Sequence, residues 1–563
     1  MAIFHIPDRV FRHTFDKNSP AQLFSLLVIA AIFSIFIAVK SERFRFQRIA
    51  IYGASALLFT QFASLLMSRN LIGSLIGDAG RFVGTASTIA LLVVSIFHSQ
   101  FDYSAFIRLI GFYIIAVEAV SLLGIAQHFK LVQLPGDQGV SSTLGNADFF
   151  AAFIGTAFPL ILFLALNSSR RVKIVLLLAT ALNLYALRLA GPLQAYVDIA
   201  FTLLGVLLLL LRRFIPRRSW TLNARTFIGT FAVIIWAEFI FLMPFLGKMI
   251  PVLGNDIQVK IRGNFWLAGM RQFFAHPFLG VGPDQYGNYY EQYRTIEDIK
   301  QYSNILSNDA HSASVQTLAT TGIFGTLAFL FLLSLVIRSF LILWDSQAIN
   351  RKSLFALGLY IFVYLTNSFV SPITLTNKYL FWAVCGFLVG GVYRLPSRKS
   401  APRRLIRNLS LLLAAVLFTI AGLFASAQLK FLNHVETYAT KKTITSDYKH
   451  SPLIPCFMYF DAEFLIAGQQ SNQAALQLAF DQLALNPRCV SAEIAITRAV
   501  VNSGDTTNLG PLISQLLEHA PARSESLSFG MYYANRTGNE ALTKSLQARL
   551  NQLGLVYVPG KLG

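Results

Sequence analysis

His311 stands two residues after Asp309 in the stretch NDAHSASVQTLATTGIFGTLAF, immediately before an apolar run. An imidazole in that setting can take a proton near neutral pH, which is what a general base needs. Upstream lies a long polar stretch, IRGNFWLAGMRQFFAHPFLGVGPDQYGNYYEQYR, starting at Ile261. Arg262 and Trp266 are four apart in it, so on a helix they share a face. A guanidinium offers a planar fork of donors that matches diphosphate oxygens and keeps its charge. Aromatic faces suit a sugar ring or a lipid tail. The glycines Gly280, Gly282 and Gly287 interleave with these groups and allow the chain to wrap a cavity. Arg294 late in the loop and Arg81 in GDAGRFVG are further candidate anion contacts. Arg188, in ALRLAGPLQAY, is a charge at the end of an apolar segment, expensive there unless solvated, paired or functional. A second account fits the same residues. Trp and Tyr at headgroup depth, arginines on lipid phosphates, a snorkelling Arg188 and a hydrogen-bonded boundary His311 are what an inert interfacial loop would show.

What must position these groups is a membrane frame. The chain has 563 residues, 55% hydrophobic and 13% charged, with mean hydropathy +0.55. A soluble domain carries about a quarter charged residues. The deficit is clustered into runs of the length a bilayer core requires, roughly 20 helical residues. Twelve candidate spans follow: Ala21–Val39, Ile49–Met67, Phe82–His98, Ala105–Ala126, Phe149–Leu166, Val172–Leu189, Ala195–Leu211, Phe227–Leu246, Val315–Ile337, Leu354–Val370, Tyr379–Tyr393 and Leu411–Leu429. The fold class is therefore all-α, a polytopic membrane protein of about twelve transmembrane helices followed by a C-terminal α-helical repeat domain.

The net charge of +20 sits largely in short loops, where it sets orientation and meets membrane lipids; nucleic acid is not implied. Arg170, Arg171 and Lys173, then Arg212 to Arg218, Arg351 and Lys352, and Arg394 to Arg407 mark cytoplasmic loops. That leaves Gln127–Ala147, the long loop Gly247–Ser314 and everything after Leu429 outside. Lys40, Arg43, Arg45 and Arg48 also read as cytoplasmic, which would put the N-terminus outside unless the first segment does not cross.

Residues 430–563 form a second domain of different composition: polar and helix-favouring. Gly468, Gly504 and Gly538 recur at nearly even intervals, and Asn486-Pro487 is echoed by Ala520-Pro521. A period near 34 with a glycine between helices suits tetratricopeptide-type pairs, which stack into a concave face for a protein partner or an acceptor. Cys456 and Cys489 in this tail would face an oxidising compartment, where they could form a disulfide.

Taken in order, four segments resemble the O-antigen ligase/polymerase family of bacterial membrane glycosyltransferases. They are STLGNADFFAAF from Ser142, LAGPLQAYVDIA from Leu189, the loop from Arg262 with its Arg…Trp…His-Pro…Gly-Val-Gly-Pro order, and AHSASVQTLATTGIFGTLAFLFLL from Ala310. The resemblance implies transfer of a glycan from an undecaprenyl-diphosphate carrier to a hydroxyl of a lipid, glycan or protein acceptor. The site would face outward from the plasma membrane of a bacterium, and the family works without metal or other cofactor. It implies Arg262 as the diphosphate contact and His311 as the group that activates the acceptor; Arg294, Arg188, Arg81, Asp309 and Trp266 would bind substrate. The chain departs from the family where Pro192-Leu193-Gln194 replaces a Ser-Arg-Gly step and where Ser312 follows the histidine. A protein O-oligosaccharyltransferase has the same site. A transporter or flippase of lipid-linked sugars is the rival class, disfavoured because no half of the chain mirrors the other.

Overall fold

A segment in hydrocarbon must satisfy its own backbone polar groups, and a helix does so within one segment. Each long apolar run is accordingly helical in the computed structural model, which describes residues 19–41, 48–78, 81–132, 139–211, 221–244, 256–302, 305–392, 403–441, 451, 453, 480–481, 483–503 and 509–557. The helices are α1 (Ser19–Val39), α2 (Arg48–Met67), α3 (Leu71–Ile76), α4 (Thr85–His98), α5 (Tyr103–His128), α6 (Ala147–Gly155), α7 (Phe158–Leu166), α8 (Arg170–Ala190), α9 (Leu193–Leu211) and α10 (Leu222–Leu242). Then come α11 (Ile257–Ala275), α12 (Tyr286–Tyr293), α13 (Ile296–Gln301), α14 (Ala313–Ser346), α15 (Arg351–Val370), α16 (Leu375–Gly391) and α17 (Arg403–Lys441). The tail adds α18 (Val490–Ser503), α19 (Leu509–His519), α20 (Ser524–Thr537) and α21 (Glu540–Leu553). No strand occurs among the described residues.

All twelve expected spans fall on helices, but not all are full crossings. Among the described residues nine segments are long and apolar enough to cross a bilayer, while α4 and the Leu193–Leu208 part of α9 are shorter. The α4 helix starts late because Phe82 adopts φ +54°, which ends any continuous helix before Thr85. The crossing Ala147–Leu166 is split into α6 and α7, with Pro159 in the first turn of the second piece, where a missing N–H is tolerated. At the other end of the membrane part, α17 runs to Lys441, past the expected boundary at Leu429.

The organising element is α14, 34 residues long, which packs against α2, α10, α11, α15 and α16. It is broken at Gly322, whose φ of +65° is left-handed. The freed backbone groups are taken by the loop that follows α11. Val281 N and Gly282 N donate to Ala319 O and Thr320 O, both at 3.0 Å, and Ile323 N donates to Pro277 O at 2.8 Å. The segment HPFLGVG is thus stitched into a helix break, so the loop is fixed to the membrane bundle.

The two ends of the bundle differ. Tyr103 donates to Asn167 at 2.6 Å and Asn167 to Ser353 at 2.9 Å, gathering the starts of α5, α8 and α15 with Arg170, Arg171, Arg351 and Lys352. Arg225 pairs with Asp345 near the C-terminal end of α14. His311 precedes the N-terminal end of the same helix, so the loop and the basic cluster lie at opposite ends.

In the tail, α18 to α21 stack each on the next. Gly538 closes α20 in the left-handed region at φ +66°, as a helix-terminating glycine should. Gly468 and Gly504, the other two members of the expected repeat, lie outside the described residues, as do Arg43, Arg45 and the basic run Arg212 to Arg218. Cys489 is held in a disulfide; Cys456 lies outside the described residues. The tail docks on the loop. Ile296 and Ile299 of the α13 region share an apolar cluster with Leu527, Met531, Leu546 and Leu550. Arg488 stacks over the Tyr289 ring at 3.9 Å and donates to Gln292 at 2.5 Å. Arg488→Ala should weaken this dock by about 1–2 kcal/mol. Faster amide exchange in α12 and α18, with none in α14, is the expected reading.

Candidate functional site

The segment before α14 is a tight polar turn. Ser307 Oγ donates to Asp309 O at 2.6 Å, Ala310 N donates to Gln316 Oε1 at 2.9 Å, and His311 N donates to Asp309 Oδ1 at 2.6 Å. These bonds hold His311 at φ +53°, a strained conformation for a residue with a Cβ. The other oxygen of Asp309 pairs with Arg81 Nη1 at 2.6 Å, and Arg81 Nε donates to Asn308 Oδ1 at 3.2 Å. Arg81 comes from the α3–α4 turn, which Asp284 fixes by accepting from Asp78 N at 2.7 Å and Val83 N at 3.1 Å.

The protonation of His311 follows from its partners. Nδ1 lies 3.0 Å from Asp309 O, and a carbonyl only accepts, so Nδ1 carries the hydrogen and Nε2 keeps its lone pair. Burial lowers the ring's pKa to about 4, helped by the charges of Arg81 and Arg262 and opposed by Asp309. The imidazole is therefore neutral at ordinary pH and able to accept a proton. Asp284 is driven the other way. Burial raises its carboxyl to about 7, against the pull of the two backbone N–H groups, Arg81 and Lys378.

Beside this cluster a cavity of about 280 Å³ opens between α2, α4, α10, α14, α15 and α16. Its loop end is lined by Arg81, Asp284, Asp309, Gln316 and Lys378, and its deeper wall by Leu57, Leu91, Phe329, Leu330, Leu333 and Leu365. One end is charged and the other apolar, the profile of an amphiphile with an ionic head.

The structure brings His311, Asp309 and Arg81 together. Arg262 approaches from α11 on a different side, loosely paired with Asp148 at 3.7 Å, and remains within electrostatic reach of His311. The Phe265 ring, from the same helix, lies 4.9 Å from the imidazole, centre to centre. The remaining expected contacts are placed otherwise. Trp266 is buried and stacks on Phe241, because its helix face packs into the core rather than toward water. Arg294 is buried in ion pairs with Asp298 at 2.8 Å and Glu291 at 3.5 Å and donates to Tyr302 O, so it braces the loop from inside. Arg188 is exposed in the last turn of α8, with no hydrogen bond or ion pair to the cluster among the described residues. Gln194, in the stretch that departs from the family's Ser-Arg-Gly step, donates to Asn367, which donates to the buried Asp198 at 2.8 Å.

Sequence reasoning misses two members of the cluster, Lys378 and Asp284. The signal for Lys378 is a lysine opening an apolar run in TNKYLFW; a charge at a span entrance reads as snorkelling unless its neighbours are known.

Residues 150–330 match the family described as O-antigen ligase, a stretch running from α6 through the loop and past Gly322. No curated protein matches the chain.

Proposed function

We propose that this chain, whose residues 150–330 match the O-antigen ligase family, transfers a glycan from a polyprenyl-diphosphate carrier, undecaprenyl diphosphate in bacteria, to an acceptor hydroxyl at the outer face of the plasma membrane. One observation carries the reading: a neutral histidine whose Nδ1 is held by Asp309 O, next to a cavity that carries charges of both signs at its mouth and is apolar within. The diphosphate would meet Arg81 and Lys378, with Arg262 across the site, and the polyprenyl chain would follow the apolar wall. In the transfer step the acceptor oxygen attacks C1 of the donor sugar. Its proton passes to Nε2 of His311, the C1–O bond to the diphosphate breaks, and the electron pair leaves with the diphosphate. Fixed guanidinium and ammonium groups stabilise that charge without reorganising.

Sidedness is supported by the basic residues gathered at the end of the bundle away from His311, since such clusters stay in the cytoplasm. In this reading residues 1–429 hold the chemistry, and the tail 430–563, a tetratricopeptide-like stack, sits over the loop on the outer side.

The test uses the full chain in nanodiscs with a synthetic polyprenyl-diphosphate oligosaccharide and a glycan or lipid acceptor. Release of polyprenyl diphosphate with an elongated acceptor is the expected result. Passage of intact carrier-linked sugar across liposomes with no covalent product would mean a transporter instead.

The pH profile is a separate check. Because the His311 pKa is depressed to about 4, the base form is complete through the neutral range, and the rate should stay level until the acid region near that value. Arg81→Ala removes a repelling charge and frees the Asp309 carboxylate, both of which favour the imidazolium. Its acid limb should therefore move to higher pH, besides any loss in rate. An unmoved limb would show that Arg81 does not face the base.

A further inference from the structure

The mouth cavity accounts for a donor and leaves the acceptor without a place. A second cleft, of about 400 Å³, lies between the loop and the tail, lined by Glu291, Arg294, Lys300, Leu306, Arg523 and Glu525 among others. That size falls in the range of small-molecule sites, about 300–1,000 Å³. We infer that this cleft seats the acceptor and that the acceptor is a neutral, polyhydroxylated glycan; its role as acceptor site rests on the transfer reading above.

Three observations point there. The first is an unmet acceptor. Glu291 is 7% exposed, and among the described residues its Oε1 accepts no hydrogen bond, with Arg294 Nη1 standing at 3.5 Å in an ion contact. A buried carboxylate oxygen in that state is costly unless a donor reaches it, and a sugar hydroxyl is such a donor. The second is the chemistry of the walls. The charges come in local pairs, Arg294 with Glu291 and Arg523 with Glu525 at 3.1 and 3.3 Å, so two carboxylates face three cations and neither a strongly acidic nor a strongly basic ligand is favoured. Ile299, Leu306, Leu553 and Leu555 supply an aliphatic side. Hydroxyls on one edge and C–H groups on the other are what a pyranose offers such a surface. The third is position. Leu306 lines the cleft, and the next residue, Ser307, has its Oγ 3.3 Å from Nδ1 of His311. The cleft and the base are thus joined by one short stretch of chain, Leu306 to His311. The cleft also gives the tail dock a purpose, since neither part forms it alone.

The experiment is saturation-transfer NMR on the full chain in nanodiscs, with maltotetraose and chitotetraose as probes and a hexalysine peptide as comparison. Wild-type protein should transfer saturation to sugar ring protons. Ser524→Trp, which fills the cleft from an exposed position, should abolish the signal. Glu291→Gln should weaken it at least several-fold, and His311→Ala should leave it intact. No sugar signal in the wild type, a signal unchanged by Ser524→Trp, or a signal from hexalysine alone would each overturn the assignment. The two readings fail separately. Glycan transfer with an acceptor KM unaffected by Ser524→Trp removes the cleft and keeps the enzyme, whereas cleft-bound sugar that is never transferred does the reverse.

Discussion

Replacing His311 by Ala should lower glycan transfer by about 10²–10⁴-fold, the range that a positioned general base contributes. The loss should fall on kcat, because in the proposed reading Arg81 and Lys378, rather than the imidazole, would hold the donor head. His311 sits at φ +53°, so the Ala variant retains backbone strain that Asn or Gly would relieve. The series Ala, Asn and Gly therefore separates chemistry from folding: all three should be inactive, while Asn and Gly should melt no lower than Ala. Free imidazole added to His311→Gly should restore part of the rate, more at higher pH where it is unprotonated. A variant in this series that transfers at the wild-type rate would remove His311 from the mechanism and leave Arg81 and Lys378 as a binding site only.

The helices are legible because run length largely decides them in a bilayer: each expected span falls mainly on helix, although among the described residues only nine segments are long and apolar enough to cross. The loop is harder, for reasons that particular residues make plain. Arg81 reaches Asn308 across 227 positions of sequence, and only the packing of α3–α4 on the loop makes that turn part of the site. Arg294 shows the opposite case. Glu291 and Asp298 stand three and four positions from it, the spacings at which helical side chains meet, so a structural ion pair is readable there. Spacing places Trp266 on the helix face of Arg262, but sequence cannot say whether that face looks at water or at Phe241. The role of HPFLGVG is invisible for a further reason: its partner is a broken helix, and apolar periodicity runs through Gly322 without a sign of the break.

That break supports the second large prediction. A Cβ on Gly280, at φ +67°, would stand 2.3 Å from the carbonyl carbon of Thr320 and 2.5 Å from its oxygen. These are backbone atoms of α14 and cannot rotate away. Gly280→Ala must therefore separate the loop from the helix break. It loses the bonds from Val281 and Gly282, each worth about 0.5–1.5 kcal/mol and more if a carbonyl is left buried, and adds about 1–3 kcal/mol of backbone strain. A loss of about 2–5 kcal/mol in resistance to denaturant is expected, with fast exchange at the amides of Val281, Gly282 and Ile323. Gly322→Ala should behave alike, since its Cβ would stand 2.3 Å from the backbone of Phe278. Gly422, in α17, is the control: nothing lies within 4 Å of its Cβ, so Ala there should be neutral or stabilise the helix by about 1 kcal/mol. Because α14 begins directly after His311, the loosened variants should also lose transfer activity in proportion to the exchange at Val281. A Gly280→Ala protein with native exchange and native stability would mean that the loop is not locked into α14, and that something other than this break positions the base.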